Sequence, residues 1–288
     1  MNAYELLHRH HQELIRDLQL YVDRVVKDPA DASLLLSYSN EYLISHAEAE
    51  EILLYSADED KDFINGLIRE HKEIKQGIDV IDGAFSRSDV EQVETESKYF
   101  MALLLKHFAV EENQLLPHLR EKLSEEEFQK IIEESHAVES EKKRSDVWSL
   151  YEYDHKRIDL NLSRLRREGN NVDRTLRLYV KLRSQMLTHI ELEESVLFPA
   201  FMDAAPPEQH GPVQVMIDEH RVITSYFSTP PEKFDLKLFM NDIENLVGKL
   251  ATHNKKEELI LYPLINRTLP KKLKAEVFRE SFTKFAQV

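Results

Sequence analysis

Four segments read alike: HAEAEEILLYS at 46–56, HFAVEENQLLP at 107–117, HIELEESVLFP at 189–199 and HNKKEELILYP at 253–263. Each is His-x-x-x-Glu-Glu-x-x-Leu, followed by Leu or an aromatic residue. Pro117, Pro199 and Pro263 come next in three copies, and Ser56 takes that place in the first. On a helix, a residue four positions along lies one turn up on nearly the same face. Each copy therefore points an imidazole and a carboxylate into the same space.

Lone histidines alternate with these motifs: His11, His71, His155 and His220. The order is lone His, His-x-x-x-Glu, lone His, His-x-x-x-Glu, and the series then repeats roughly 145 residues later, the mark of a duplicated domain. Turn-forming residues cluster in KDPADAS (27–33), SADEDK (56–61), DGAFSRSD (82–89), EGNNVD (168–173), DAAPPEQHGP (203–212) and STPPEKFD (228–235). They fall about midway between successive histidines, so equal helical rises bring the histidines of each half to one level. With few glycines, abundant Leu, Glu, Lys and Ala, and no alternating β-branched run, the fold class is all-α. Two tandem up-and-down four-helix bundles are expected, at 1–139 and 148–288, with SEKKRSDVW at the junction supplying a polar linker over 140–147. A short helix closes each half: one opening on the Ser124/Glu127 capping-box pattern, the other over 269–282.

Composition narrows the function. The chain has 288 residues, 53 acidic against 38 basic, and a formal net charge of −15, which disfavours nucleic-acid binding. No cysteine is present, which excludes disulfides, thiolate zinc sites and cysteine-held iron–sulfur clusters. The N-terminus lacks an apolar signal core and no stretch approaches a membrane span, so a cytoplasmic protein without membrane attachment is expected. Four histidines and two glutamates converging in a core call for a cation, since unpaired buried carboxylates are very costly. Mixed imidazole and carboxylate donors suit iron, zinc or manganese better than calcium. Two six-coordinate ions offer about twelve positions. Four histidines, two bridging carboxylates and an oxo or hydroxo bridge fill about ten, leaving room for a small ligand such as dioxygen, peroxide or nitric oxide.

With these motifs the sequence resembles the hemerythrin family, in its broad hemerythrin-like (HHE cation-binding) branch, twice over nearly the whole chain. The resemblance implies two carboxylate-bridged di-iron centres, about four Fe per chain, with zinc or manganese as possible substitutes. Carried over residue by residue, it implies His11, His46, Glu50, His71, His107 and Glu111 as ligands of the first site. It implies His155, His189, Glu193, His220, His253 and Glu257 for the second. Oxygen-carrying hemerythrins have a further histidine four residues after the third-helix one; Lys75 and Thr224 stand there. That departure moves the expectation from reversible oxygen carriage to sensing, scavenging or storage of oxygen, peroxide, nitric oxide or iron. Redox catalysis at the same centre and iron homeostasis are the alternative readings. Iron–sulfur repair members of the family usually carry an added cysteine-containing N-terminal domain, which is not seen here. No DNA-binding, kinase or ligase domain is visible either, so signalling output would pass through a separate, unidentified protein.

Other residues receive plainer readings. Glu51, Glu112, Glu194 and Glu258 lie five positions from the motif histidines and rotate away from them. They are read as solvated or structural, with alternative ligation or hydrogen bonding to the ligands as the other reading. His8, one turn from His11, is a candidate extra ligand. His118, His136 and His210 are expected at the surface. Leu53, Leu54, Leu115, Leu116, Leu197, Phe198, Leu261 and Tyr262 are expected to pack as core, while Tyr42, Tyr179 and Trp148 are left open between packing and a redox role. A ferritin-like Glu-x-x-His arrangement is disfavoured, because Glu5/His8, Glu133/His136 and Glu152/His155 share no common offset.

Overall fold

The computed structural model describes residues 2–168, 171–228 and 233–288. These are almost wholly helical, with no strand among the described residues. The chain divides into two compact units, Met1–Arg144 and Ser145–Val288.

In the first unit, α1 is Ala3–Lys27. Helix α2 covers 32–54 and includes π turns at Ser39–Leu43 and Glu50–Leu54. Helix α3 is Lys61–Ser86, and α4 covers 90–122 with a π turn at Glu111–Leu115. The buried positions explain the bundle. On α1 they are Ala3, Leu7, His11, Leu14, Leu18, Val22 and Val25. On α3 they include Ile64, Leu67, His71, Ile74, Ile78 and Ile81. Steps of three and four make a narrow seam facing the partner helices. The histidines occupy seam positions, so the packing that folds the bundle also aims them inward. Helix α1 packs against α2 and α4, and α3 against α2 and α4. The closing helix α5, Glu125–Lys142, begins with the expected capping box between Ser124 and Glu127 and lies across α1 and α2.

The second unit repeats this plan. Helix α6 is Val147–Arg167, and α7 covers 172–204 with a π turn at Glu193–Leu197. Helix α8 is Gly211–Ser225, and α9 covers 236–268 with a π turn at Glu257–Leu261. Lys271–Phe285 forms the closing helix α10, packed on α6 and α7. An apolar layer beside the histidines joins Ile158, Leu162, Leu182, Met186, Ile223, Leu246 and Leu250. No described helix is long and apolar enough to cross a membrane.

Two connections differ from expectation. DGAFSRSD is not all loop: α3 runs through Ser86 because Ala84 and Phe85 continue its buried seam, leaving the turn to Arg87–Asp89. The linker expected at 140–147 narrows to 143–146, since α5 continues through Lys142 and Asp146 already caps α6 by accepting from the Ser149 N–H. Parts of the loops at 168–173 and 228–235 lie outside the described residues.

Replacing Ser124 with Ala removes the acceptor that caps α5. A loss of about 1 kcal/mol is expected in urea unfolding, and an unchanged stability would show that the cap does not hold α5 in place.

Candidate metal centres

All twelve sequence-assigned donors are buried, none more than 8% exposed, and each unit gathers its six. In the first unit, Nε2 of His11 and Nε2 of His46 both lie 3.2 Å from Oε1 of Glu50. The other Glu50 oxygen is 3.7 Å from Nε2 of His71. Nε2 of His107 is 3.4 Å from Glu111. The donors thus form two adjoining sets, His11/His46/Glu50 and Glu50/His71/His107/Glu111, which share Glu50. The second unit has the same form: His155/His189/Glu257 and Glu193/His220/His253/Glu257 share Glu257. Two ligand sets joined by one carboxylate could hold two cations side by side.

Unpaired atoms support a cation here. Nε2 of His46 and His107, Oε2 of Glu50 and Glu111, Nε2 of His220, Oε2 of Glu193 and Oε1 of Glu257 are buried without a hydrogen-bond partner. Buried polar atoms left unmatched are costly. These converge, and a bound cation would satisfy them together.

The outward ring nitrogens carry the clearest order. Nδ1 of His11, His71, His155 and His220 lies 2.8–2.9 Å from Glu112, Glu51, Glu258 and Glu194, respectively. The second glutamate of every motif copy thus follows the hydrogen-bonding reading: each grips a lone histidine on another helix while staying partly open to solvent. Its five-position rotation, which turns it from its own histidine, turns it toward its neighbour's. The motif histidines are served in the same way. Nδ1 of His107 lies 3.1 Å from Glu70, that of His189 2.9 Å from Asp154 and that of His253 3.0 Å from Glu219. Each of these acids immediately precedes a lone histidine, a signal readable in sequence as Glu-His or Asp-His. A carboxylate at Nδ1 fixes ring orientation and presents the Nε2 lone pair inward, as metal-binding histidines require. His46 is the exception, with Nδ1 3.7 Å from Glu139.

His8 does not enter the pocket; its Nδ1 lies 2.9 Å from the second Glu112 oxygen. His118 faces Asp58 at 3.3 Å, and His210 donates to the Ala205 carbonyl. Tyr179 packs among Phe227, Phe234 and Phe239, and Tyr42 against Tyr38.

Two tyrosines are in the centres. The Tyr55 hydroxyl donates to Glu111 at 2.5 Å and lies 3.1 Å from Nε2 of His71. The Tyr262 hydroxyl donates to Glu193 at 2.6 Å and lies 3.2 Å from Nε2 of His155. Tyr262 is buried, as expected of a packing residue, but its hydroxyl belongs to the site. The π turn explains both. The backbone N–H of Tyr55 bonds the Glu50 carbonyl and that of Tyr262 the Glu257 carbonyl. This i→i+5 closure turns the tyrosine into the centre, where its hydroxyl meets the glutamate of the opposite motif copy. Burial and the facing carboxylates push both phenols well above their usual range, so they stay protonated and donate.

Electrostatics without a cation follow from this burial. Burial lowers the histidine pKa values, but the facing carboxylates outweigh it. His46 is raised to about 10, chiefly by Glu50; His107 to about 9, by Glu111. His155 is raised to about 10, by Glu257 and Glu258, and His220 to about 10, by Glu193 and Glu257. Burial works against the charged carboxylate of Glu50 too, yet His46 and His11 hold it well below its ordinary range.

Family comparison agrees with this geometry. The hemerythrin HHE cation-binding domain matches residues 2–138 and again 146–265. The chain belongs to the hemerythrin HHE cation-binding family. It is similar to the iron-sulfur cluster repair protein YtfE of Salmonella paratyphi B, at 27% identity over 114 residues, 35% of this chain and 52% of the relative. The YtfE proteins of Salmonella newport and Salmonella heidelberg match to the same extent. The chain thus spans about half the length of the curated relatives it matches. No solved structure matches it.

Two outcomes are expected. Raised histidine pKa values contribute stability that is full below about 6.5 and lost as pH rises through about 9 to 10. The thermal midpoint of the metal-stripped chain should therefore fall across that range; a flat profile would contradict the imidazolium–carboxylate pairing. Glu112→Ala, which frees Nδ1 of His11, should weaken metal affinity of the first unit about 10- to 100-fold in competition with a chelator. Unchanged affinity would make Glu112 a bystander.

Proposed function

We propose that each unit holds a carboxylate-bridged pair of iron ions, about four per chain, in a non-haem di-iron protein that binds or responds to dioxygen, peroxide or nitric oxide. One observation carries this reading: in each unit, two imidazole–carboxylate sets share a single glutamate, Glu50 or Glu257. In this reading His11, His46, Glu50, His71, His107 and Glu111 bind the first pair. His155, His189, Glu193, His220, His253 and Glu257 bind the second. Zinc or manganese fits the same donor types; the iron–sulfur repair name of the relatives supports iron.

Iron bound there would supply reversible one-electron chemistry at positions the protein leaves free. The surrounding residues set what reaches it. In the first unit a pocket of about 10 Å³ borders His46, Glu50, His71 and His107, walled by Leu43, Ile44, Ile74, Leu104 and Phe108. That is about the room one water needs, so the space beside the donors is small and mostly apolar-walled, which favours a small ligand over a bulky one. Tyr55 and Tyr262 each hold a proton among the donors. Those phenols favour a second reading, turnover of peroxide or nitric oxide at the same centre, because a proton donor is already in place. The proposal sets the protein in the cytoplasm and requires neither nucleic acid nor membrane.

Elemental analysis of anaerobically prepared protein tests it, paired with the ultraviolet–visible spectrum before and after air. About four irons per chain and a charge-transfer band on oxidation are expected. Glu50→Ala should leave about half the iron, because only the first unit loses its shared carboxylate. Zinc with a featureless spectrum, or equal iron loss from both units in the Glu50 variant, would overturn the reading.

A further inference from the structure

Seven of the eight histidines in the two centres have Nδ1 within 2.8–3.1 Å of a carboxylate, and His46 alone does not. The cause is one residue. In the second unit, Asp154 precedes the first lone histidine and holds Nδ1 of His189. In the first unit that position is His10, which has no carboxylate to offer. A carboxylate comes instead from the closing helix: Glu139 on α5, buried, with Oε2 3.1 Å from Nε2 of His10 and 3.7 Å from Nδ1 of His46.

These three side chains offer ligand atoms within 4.8 Å of one another. The His10 nitrogen is close to Glu139 but not aligned to donate to it, and is buried without a hydrogen-bond partner. His136, one turn before Glu139 on α5, sets its ring 5.4 Å from that of His10 and nearly perpendicular to it. Its Nε2 is also buried and unpartnered, so this histidine, expected at the surface, turns its nitrogen inward. Ligand atoms of His10, His46 and Glu139 thus gather within 4.8 Å of one another, with the His136 ring beside that of His10. Lys143 lies 3.3 Å from the other Glu139 oxygen, leaving Oε2 to the histidines.

We propose that His10, Glu139 and Nδ1 of His46, with His136 as a fourth donor, hold one divalent transition-metal ion of the zinc type. It is a third metal position in the first unit, sharing only His46 with the twelve donors assigned above. The donor set is borderline, imidazole with one carboxylate, which suits zinc rather than calcium or magnesium. His46 would join this ion to the neighbouring centre through its two ring nitrogens, giving up its ring proton on binding. Among the described residues the second unit shows no equivalent set; at the position of His10 it has Asp154, which pairs with His189 and lies 3.5 Å from the buried Arg157.

The test is equilibrium dialysis of the full chain against Zn²⁺, with the metal counted by elemental analysis, for the native protein and for His10→Asp. That substitution copies the second unit and restores a carboxylate to Nδ1 of His46. The native chain should hold one more zinc than the variant. Equal counts overturn the proposal. If His10→Asp does not fold, His136→Ala decides: at least a tenfold weaker affinity for one zinc is expected, and unchanged affinity overturns it. Iron uptake is read separately. A native chain that binds iron but holds no more zinc than the variant counts against this site alone, whereas absent iron with the extra zinc present counts against the di-iron reading alone.

Discussion

Two carboxylates and four imidazoles buried in the core of each bundle are the constraint on which the rest depends. Glu50, Glu111, Glu193 and Glu257 are at most 1% exposed. Unpaired, such charges would cost more than a domain's whole margin of stability. Their neighbours offset this in layers: imidazoles first, then a ring of outer carboxylates on Nδ1, then apolar seams that exclude water. Removing the inner layer would leave the outer one without purpose. The order of these layers also explains why the donors stand in the same heptad-like steps as the leucines around them.

Much of this was legible in the chain. The gathering of the twelve side chains was, because a histidine at a seam position behaves in sequence like any other core residue of a helix and its spacing survives duplication. The bundles and closing helices followed from the same periodicity and from the Ser124/Glu127 cap. The roles of Glu51, Glu112, Glu194 and Glu258 were legible only as the second of two readings, hydrogen bonding to the ligands. Their rotation was judged against their own helix, while their partners sit on the helix alongside. Tyr55 and Tyr262 were missed for a different reason: an i→i+5 turn leaves no mark in composition, and it turns them into the centres. The proline after three of the motifs does not mark it, since the first copy has the same π turn with Ser56.

The duplicated units are alike in their inner donors and different just outside them. The tyrosine rides on the first motif copy in one unit, as Tyr55, and on the second copy in the other, as Tyr262; Leu116 and Phe198 fill the matching places. Each phenol nevertheless reaches the carboxylate of the opposite copy. The pseudo-twofold relation between the two halves of a bundle makes these solutions equivalent. His10 against Asp154 is not equivalent in that way, because it exchanges an acid for a base beside a donor histidine.

Mössbauer spectroscopy of the chain loaded with ⁵⁷Fe and oxidised addresses the shared carboxylate most directly. If Glu50 and Glu257 each join two ions, all the iron is expected as spin-coupled ferric pairs with a diamagnetic ground state at low temperature. Magnetically isolated ferric iron as the main species would contradict paired centres and leave each unit with single ions at most.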